Sequence, residues 1–343
     1  MKRTIFAALA VAVSVLPAMA QETVVKVGTA RAISVGATLY AIEKGYFKEA
    51  GVKLDMDYIN SSADVMALIA QGQYHIVEGG VSAGFFNAVD KNLPLKLIAD
   101  RTSSPFYHNI MLRPELKDTI KTIKDLKGRS IASNGPGSIT TYEVGKVLET
   151  AGLSLKDVEI KIIPFTQMGI ALKNGAVDAA LLIPPFSYQA REQGLGVMFI
   201  DPDDYQKPQP VSLAVNIINT EWAAKNQEAV KKYYIAYLKG VRAYCQAVHG
   251  GSTRKEMIDL LVRDKIEPRR ETLEELPWQS RDVNGKINIA SVLDVQDFYL
   301  NGKFINARQP IEKLVDLSYV DAAAKQLGPF VVENKASTVK GCR

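Results

Sequence analysis

The chain has 343 residues, 47% of them hydrophobic and 23% charged, and its 42 Lys and Arg against 37 Asp and Glu leave a formal charge of +5. The basic residues are scattered among acidic ones rather than gathered in a stripe, which argues against a nucleic-acid partner. About 320 residues beyond an apolar leader are too many for one typical domain and comfortable for two.

The first twenty residues read as a signal peptide, with a charged start at Lys2 and Arg3, an apolar run from Ile5 to Leu16 and a small-x-small cleavage site at Ala18-Met19-Ala20. The run is shorter than the roughly 20 residues that cross a bilayer and ends at Pro17, against an uncleaved anchor. Cleavage removes Lys2 and Arg3 and leaves an exported, soluble chain that begins near Gln21 with a formal charge of +3.

Two later stretches share one layout. In the first, a strand from Val24 to Val27 leads through a loop to a helix ending at Glu49-Ala50-Gly51. A strand from Val52 to Tyr58 follows, then a helix ending at Gln71-Gly72 and a strand from Tyr74 to Val77 that stops at Gly79-Gly80. In the second, strand Arg129 to Ser133 leads through Gly135-Pro136-Gly137 to helix Tyr142 to Thr150, closed by Ala151-Gly152. Strand Val158 to Ile163, helix Met168 to Lys173 with Asn174-Gly175, and strand Ala179 to Ile183 before Pro184-Pro185 complete it. Gly51 and Gly72 are 21 positions apart and Gly152 and Gly175 are 23. Each glycine falls where a helix ends and the chain needs a positive φ. Alternating short strands and amphipathic helices predict βαβ units and a largely parallel sheet in each half.

From Asp201 to Pro210 three prolines punctuate the chain before a strand from Val211 to Ile218. The remainder is predicted mainly helical, over Glu228 to Val248, Thr253 to Arg263, Ala290 to Asn301 and Ile311 to Leu314. If the chain leaves the first half near Arg101 to Phe106 and returns near Asp201 to Val211, two strands form a hinge with a cleft between the halves. In an oxidising compartment Cys245 and Cys342, far apart in sequence, can close one bridge that pins the C-terminal tail, the alternative being two free thiols.

His75, His108 and His249 lie far apart with no cysteine or carboxylate at zinc-like spacing, so no metal and no cofactor are expected. There is no phosphate-binding loop and no G-x-S-x-G elbow, which weakens the case for an enzyme.

The run Tyr40-Ala41-Ile42-Glu43-Lys44-Gly45-Tyr46-Phe47-Lys48-Glu49-Ala50-Gly51 closely resembles the x-A-x-x-x-G-Y-F-x-x-x-G opening of the nitrate/sulfonate/taurine class of ABC-importer binding proteins. Asp125-Leu126-Lys127-Gly128-Arg129 with Gly135-Pro136-Gly137-Ser138, and Gly175-Ala176-Val177-Asp178-Ala179-Ala180, resemble it as well. The likeness covers Val24 to Ile200, and the helical remainder follows it only in general plan. It implies an α/β fold of two Rossmann-like lobes joined by two hinge strands, the type II periplasmic binding protein fold, with extra C-terminal helices. The lobes are expected to comprise 21–103 with 212–343, and 104–211. It implies a monomer in the periplasm that is not an enzyme and hands a small organic anion or ring compound, of sulfonate, aromatic carboxylate or pyrimidine type, to an inner-membrane ABC permease. Other readings are a periplasmic sensor without an importer and a pyrimidine-precursor-forming enzyme of similar fold, whose cysteine-rich iron motif this chain lacks. Pro184-Pro185-Phe186 and Arg31-Ala32-Ile33-Ser34 depart from the commonest members, so the ligand is not carried over.

In open parallel sheets ligands bind beyond the carboxyl ends of the strands. That rule selects the loops Gly28 to Ser34, Gly79 to Ser82, Asn134 to Thr141 and Pro184 to Phe186. Gly80, Gly137, Ser138 and Thr140 are candidates because glycine-bearing turns before helices present backbone N–H groups. Thr140 to Glu143 also fits a capping box, in which Thr140 serves its own helix. Ser34 and Ser82 stand at helix starts, as caps or as ligand contacts. Arg31 could pair with a carboxylate or sulfonate, and so could Arg101, with bracing of the crossover as its alternative. Phe106 and Phe186 could wall a ring, with core as the alternative. His108 could donate to an anion, and Glu78 is expected to pair with a nearby cation.

Overall fold

The computed structural model describes residues 22–333 and 341–342, so the leader expected at residues 1–20 lies outside the described residues. Strand β1 (Thr23–Ala30) is followed by α1 (Gly36–Glu43), α2 (Tyr46–Glu49), β2 (Val52–Ile59), α3 (Met66–Ala70), β3 (Ile76–Gly80), α4 (Ala83–Asp90) and β4 (Leu95–Ser103). The chain then builds β5 (Asn109–Leu112), β6 (Ser130–Ser133), α5 (Ile139–Glu149), β7 (Glu159–Ile162), α6 (Phe165–Lys173), β8 (Ala179–Leu182), α7 (Phe186–Glu192) and β9 (Val197–Ile200). After β10 (Ser212–Asn219) come α8 (Thr220–Lys225), α9 (Gln227–Val248), α10 (Arg254–Arg263), α11 (Arg270–Glu275), α12 (Ile289–Asn301), α13 (Ile311–Leu314) and α14 (Ser318–Leu327).

These strands form two five-stranded sheets, ordered β2-β1-β3-β10-β4 and β7-β6-β8-β5-β9. The sheets are largely parallel, as expected, with one strand of each reversed. Each sheet is mixed, because β10 runs antiparallel to β3 and β4, and β5 runs antiparallel to β8 and β9. In both cases the odd strand is the one that arrives from the other sheet, so it enters from the cleft end and runs against its neighbours. The parallel pairs β1–β2, β1–β3, β6–β7 and β6–β8 are the βαβ units that the repeat predicted.

Strand periodicity sorts side chains onto two faces of each sheet. In the second sheet Ile110, Leu112, Ile131, Ala179 and Leu181 pack with Val144, Val147 and Leu148 of α5, whereas Met111, Ala132, Ala180 and Leu182 pack with Met168 and Leu172 of α6. The first sheet carries a heavier burden. One face buries Val25, Val27 and Ile98 under α1 and the long α9, whose Val230, Tyr233, Tyr234, Tyr237, Leu238 and Val241 form the predicted apolar stripe. The other face packs α3, α4 and α12 through Ile69, Phe85, Phe86, Val292 and Tyr299.

The chain passes between the sheets twice. The outgoing segment from Ser103 to Asn109 and the returning segment from Ile200 to Ser212 are bonded to each other: Ser104 N donates to Val211 O at 3.0 Å and Val211 N to Ser104 Oγ at 2.8 Å. Cys245 and Cys342 form a disulfide. No helix among the described residues is long and apolar enough to cross a membrane.

Candidate functional site

A cavity of about 60 Å³ lies where the carboxyl ends of both sheets meet, lined by residues that follow β1, β2, β3, β6, β7 and β8. Its floor on the first sheet is a buried ionic network. The carboxylate of Glu78, near the end of β3, accepts from Thr29 Oγ1 and Thr38 Oγ1, each at 3.0 Å, and from Tyr233 OH at 3.4 Å. Arg101 Nε lies 3.5 Å from it, and Arg101 Nη2 donates to Thr29 Oγ1 and Ala30 O. Burial pushes the Arg101 guanidinium down and the Glu78 carboxylate opposes that. The pair thus neutralises itself beneath the cavity, as a buried ion pair must.

The second sheet contributes the start of α5. Ser138 stands at the N-cap without a side-chain cap bond. Its hydroxyl and those of Thr140 and Thr141 converge on Ser133 Oγ at 3.2, 2.7 and 3.0 Å, while Thr140 Oγ1 donates to Asn134 Oδ1 at 2.8 Å. The predicted capping box from Thr140 to Glu143 does not form. Glu143 turns instead to His108, whose Nδ1 is 2.9 Å from Glu143 Oε1. Burial alone would hold the His108 imidazole down, but the Glu143 carboxylate, helped by Asp203 and Asp201, raises its pKa above the ordinary value.

Contacts between the two sheets close the cavity. Asn60 Nδ2 donates to Asn134 O at 2.6 Å and Asn134 Nδ2 returns to Asn60 O at 2.9 Å. Ala83 N donates to Gly137 O, Tyr299 OH to Ser138 O, and Tyr142 OH to Asp294. A Cβ on Gly80 would overlap Ile139 Cγ2, so only glycine lets the sheets approach this closely. Three lining residues, Ser34, Thr102 and Gln279, are buried and each holds a polar side-chain atom without a hydrogen-bond partner. Burying a polar group unpaired costs about 1 to 3 kcal/mol, so three around one cavity mark a surface shaped for a polar guest. A larger groove of about 620 Å³ outside α5, lined by Gly145, Ile160, Phe298 and Phe304 among others, has no such orphaned atom among the described residues.

Of the candidates named from sequence, Ser34, Gly80, Ser138 and Thr140 line the cavity. Arg31 does not: its Nη1 donates to Lys265 O at 2.7 Å and its guanidinium lies 4.3 Å over the Tyr58 ring. Ser82 caps α4, accepting from Phe85 N at 3.3 Å. Gly137 sits at φ +59° with its Cα packed against Ala83, outside the lining. Phe106 is fully buried in the core. Phe186 opens α7 and stacks behind Phe165 at 5.9 Å and 15°, and it is Phe165 that walls the cavity. Arg101 both braces the crossover and lines the cavity, and His108 lines it too. Sequence reasoning missed Asn60, Ser61 and Ser62, Phe165, Thr102 and Gln279. The rule of strand carboxyl ends, applied to β2 and β7 as well, would have found Asn60 to Ser62 and Phe165.

Two mixed α/β sheets facing each other across a cleft, each with one antiparallel strand delivered by the crossing, define the periplasmic-binding-protein fold. Nitrate-binding protein NrtA from Synechocystis PCC 6803 superposes with a TM-score of 0.73 over 89% of each chain at 15% identity. The family model described as NMT1/THI5 like matches residues 33–247, more than half of the chain, and the chain belongs to that family. It is 26% identical over 203 residues to a formylaminopyrimidine-binding protein of Halalkalibacterium halodurans, a match covering 58% of this chain and 59% of the relative. It is 27% identical over 207 residues to the riboflavin-binding protein RibY of Chloroflexus aurantiacus, covering 59% of this chain and 56% of that one. The chain thus matches less than two thirds of the length of these relatives. Among the described residues no group of three or more His, Cys, Asp or Glu could hold a metal.

Proposed function

We propose that the chain is the solute-binding component of an ABC importer, acting in the periplasm, and that it captures a compact ring compound of pyrimidine type without net negative charge. The two sheet units, 22–103 with 212–333 and 104–211, then act as lobes that part and close on the two crossings. The observation that supports this reading is the cavity lined from both units, with the hydroxyl cluster of α5 on one side and, on the other, three buried residues of the first unit, Ser34, Thr102 and Gln279, that hold unpaired polar atoms. Contacts to both lobes are what a ligand needs to favour the closed form, since only differential contact shifts the equilibrium.

Charge narrows the ligand. Each basic side chain beside the cavity has its own carboxylate, Arg101 with Glu78 and His108 with Glu143. The remaining polar lining is hydroxyl and amide, and Arg31, the candidate partner for an anion, is engaged by Lys265 O instead. An uncharged molecule with donor and acceptor edges matches that surface, Phe165 offers a face to a ring, and a relative is named for a pyrimidine. The cavity is well below the several hundred Å³ usual for ligand pockets, so entry requires the lobes to part.

A thermal-shift series tests this with cytosine, 4-aminopyrimidine and riboflavin against taurine, nitrate and benzoate. A neutral ring compound should raise the melting temperature with the logarithm of its concentration. A shift with taurine, nitrate or benzoate alone would overturn the choice of ligand class, and a solution radius unchanged at saturation would overturn closure.

A further inference from the structure

One lining residue, Gln279, comes from the segment between α11 and α12 rather than from a strand, a crossing or the loop and helix start that follow a strand. The segment that carries it runs beside the outgoing crossing: Ser103 N donates to Ser280 O at 2.9 Å and Ser280 N to Pro105 O at 3.0 Å, forming an antiparallel bridge between Ser103 and Ser280. Its neighbours tie it to four other places. Tyr244 OH of α9 donates to Gln279 O at 3.0 Å, Arg281 Nη2 to Ser34 O in the cavity loop at 2.6 Å, and Asp282 N to Asp100 Oδ2 at 2.9 Å. The Gln279 amide nitrogen lies 3.0 Å from His108 Nε2, so a chain of contacts runs from this segment through His108 to Glu143 of α5.

The same segment is held from behind by the C-terminal tail. Cys342 N donates to Ser280 Oγ at 2.7 Å, and Cys342 is bonded to Cys245 of α9. Gly341 lies so close that a Cβ there would fall 2.5 Å from Ser280 Oγ, and its carbonyl is 3.0 Å from His249 Nε2. The bridge therefore presses a backbone amide and a glycine onto Ser280, which pairs with the outgoing crossing.

We infer that residues 279–281 form a third strap across the hinge, propped by the Cys245–Cys342 bridge, and that Gln279 on this strap is a positioning residue that holds His108 and α5 against the cavity in the closed form. With the bridge intact, the strap adds a lobe-one contact to each closure. Without it, Ser280 loses its support, the strap parts from Ser103 and Pro105, and Gln279 no longer reaches His108. The fold survives, because the strap lies outside both sheets.

Amide hydrogen exchange and imidazole NMR on the full chain test this without any ligand, so failure here leaves the solute-binding reading untouched. In Cys342→Ser, amides of 279–281 and of Ser103 should exchange roughly tenfold faster than in the bridged chain, with the sheets otherwise unchanged. The His108 ring signals, one set among three histidines, should move. Ser280→Ala keeps the bridge and must give the same paired rise, which guards against a Cys342→Ser chain that does not fold. Faster exchange confined to the residues around 341–342, with 279–281, Ser103 and the His108 signals as before in either variant, would overturn the inference.

Discussion

The two sheets share one strand order and differ in what is packed on them. The first is buried on both faces by helices drawn largely from the last third of the chain, α9 to α14, around two large apolar clusters. The second is covered by α5, α6 and α7 and two smaller clusters. The cleft edges differ in the same sense. The first supplies a self-neutralised ion pair and orphaned hydroxyls, fixed in a deep core, whereas the second supplies a helix start and a hydroxyl cluster. One topology thus serves as an anchor in one place and as a lighter jaw in the other, and the difference lies in the helices added after the repeat rather than in the repeat itself.

The comparison breaks first at Glu78, where the anchor is charged. Glu78→Ala leaves Arg101 buried without its counter-charge and should cost about 3 to 5 kcal/mol of stability in denaturant unfolding. A loss below about 1 kcal/mol would mean that the floor is not the rigid element described.

The next largest effect is a pH dependence at the crossings. Burial, with Asp201 nearby, pushes the Asp203 carboxyl up to about 7, while its Oδ2 accepts from Phe106 N and Tyr107 N of the outgoing segment. An acid whose folded pKa exceeds its unfolded value of 3.8 binds the proton more tightly when folded. Its contribution is therefore greatest below about pH 4 and is lost as pH rises toward 7. His108, also raised, acts in the same direction: its contribution is present below its unfolded value of 6.5 and is lost as pH rises through its folded value. Asp203→Asn should remove about 2 kcal/mol of the difference in stability between pH 4 and pH 8, roughly half of what the full shift would give. Parallel pH profiles of the two chains would leave Asp203 without this role.

Smaller effects sharpen the contact between anchor and jaw. Gly80→Ala places a methyl group against Ile139 and should disfavour the closed form by about 1 to 2 kcal/mol, the range for overpacking. Solution scattering should record the larger radius. Arg31→Ala sits outside the cavity and should change ligand affinity, measured by calorimetry with cytosine, by no more than about 0.5 kcal/mol, as for surface positions generally. A tenfold loss would return Arg31 to the site.

The repeat was legible because strands and helices announce themselves by local periodicity and by glycines such as Gly51, Gly72, Gly152 and Gly175, all at positive φ in the structure. The helix predicted over Glu228 to Val248 runs from Gln227 to Val248 for the same reason. A partner far along the chain leaves no such local pattern. Arg31 reads as an anion contact until Lys265, 234 positions away, takes its guanidinium. Phe106 reads as a wall until the core encloses it. Gln279 carries no motif at all, and only the bridge between Ser103 and Ser280 brings it to the cleft. The antiparallel strands β5 and β10 were likewise invisible as such, since their direction is set by the sheet that the chain has just left.

That arrangement of β5 and β10 has a consequence for assembly. The strands of the second sheet are contiguous in sequence, from Asn109 to Ile200, whereas the first sheet lacks its interior strand between β3 and β4 until Asn219 has emerged. A chain delivered amino end first therefore completes its inserted half while its outer half is still missing a central stave. The part that is last to begin is the first to finish, and the outer half is joined around it.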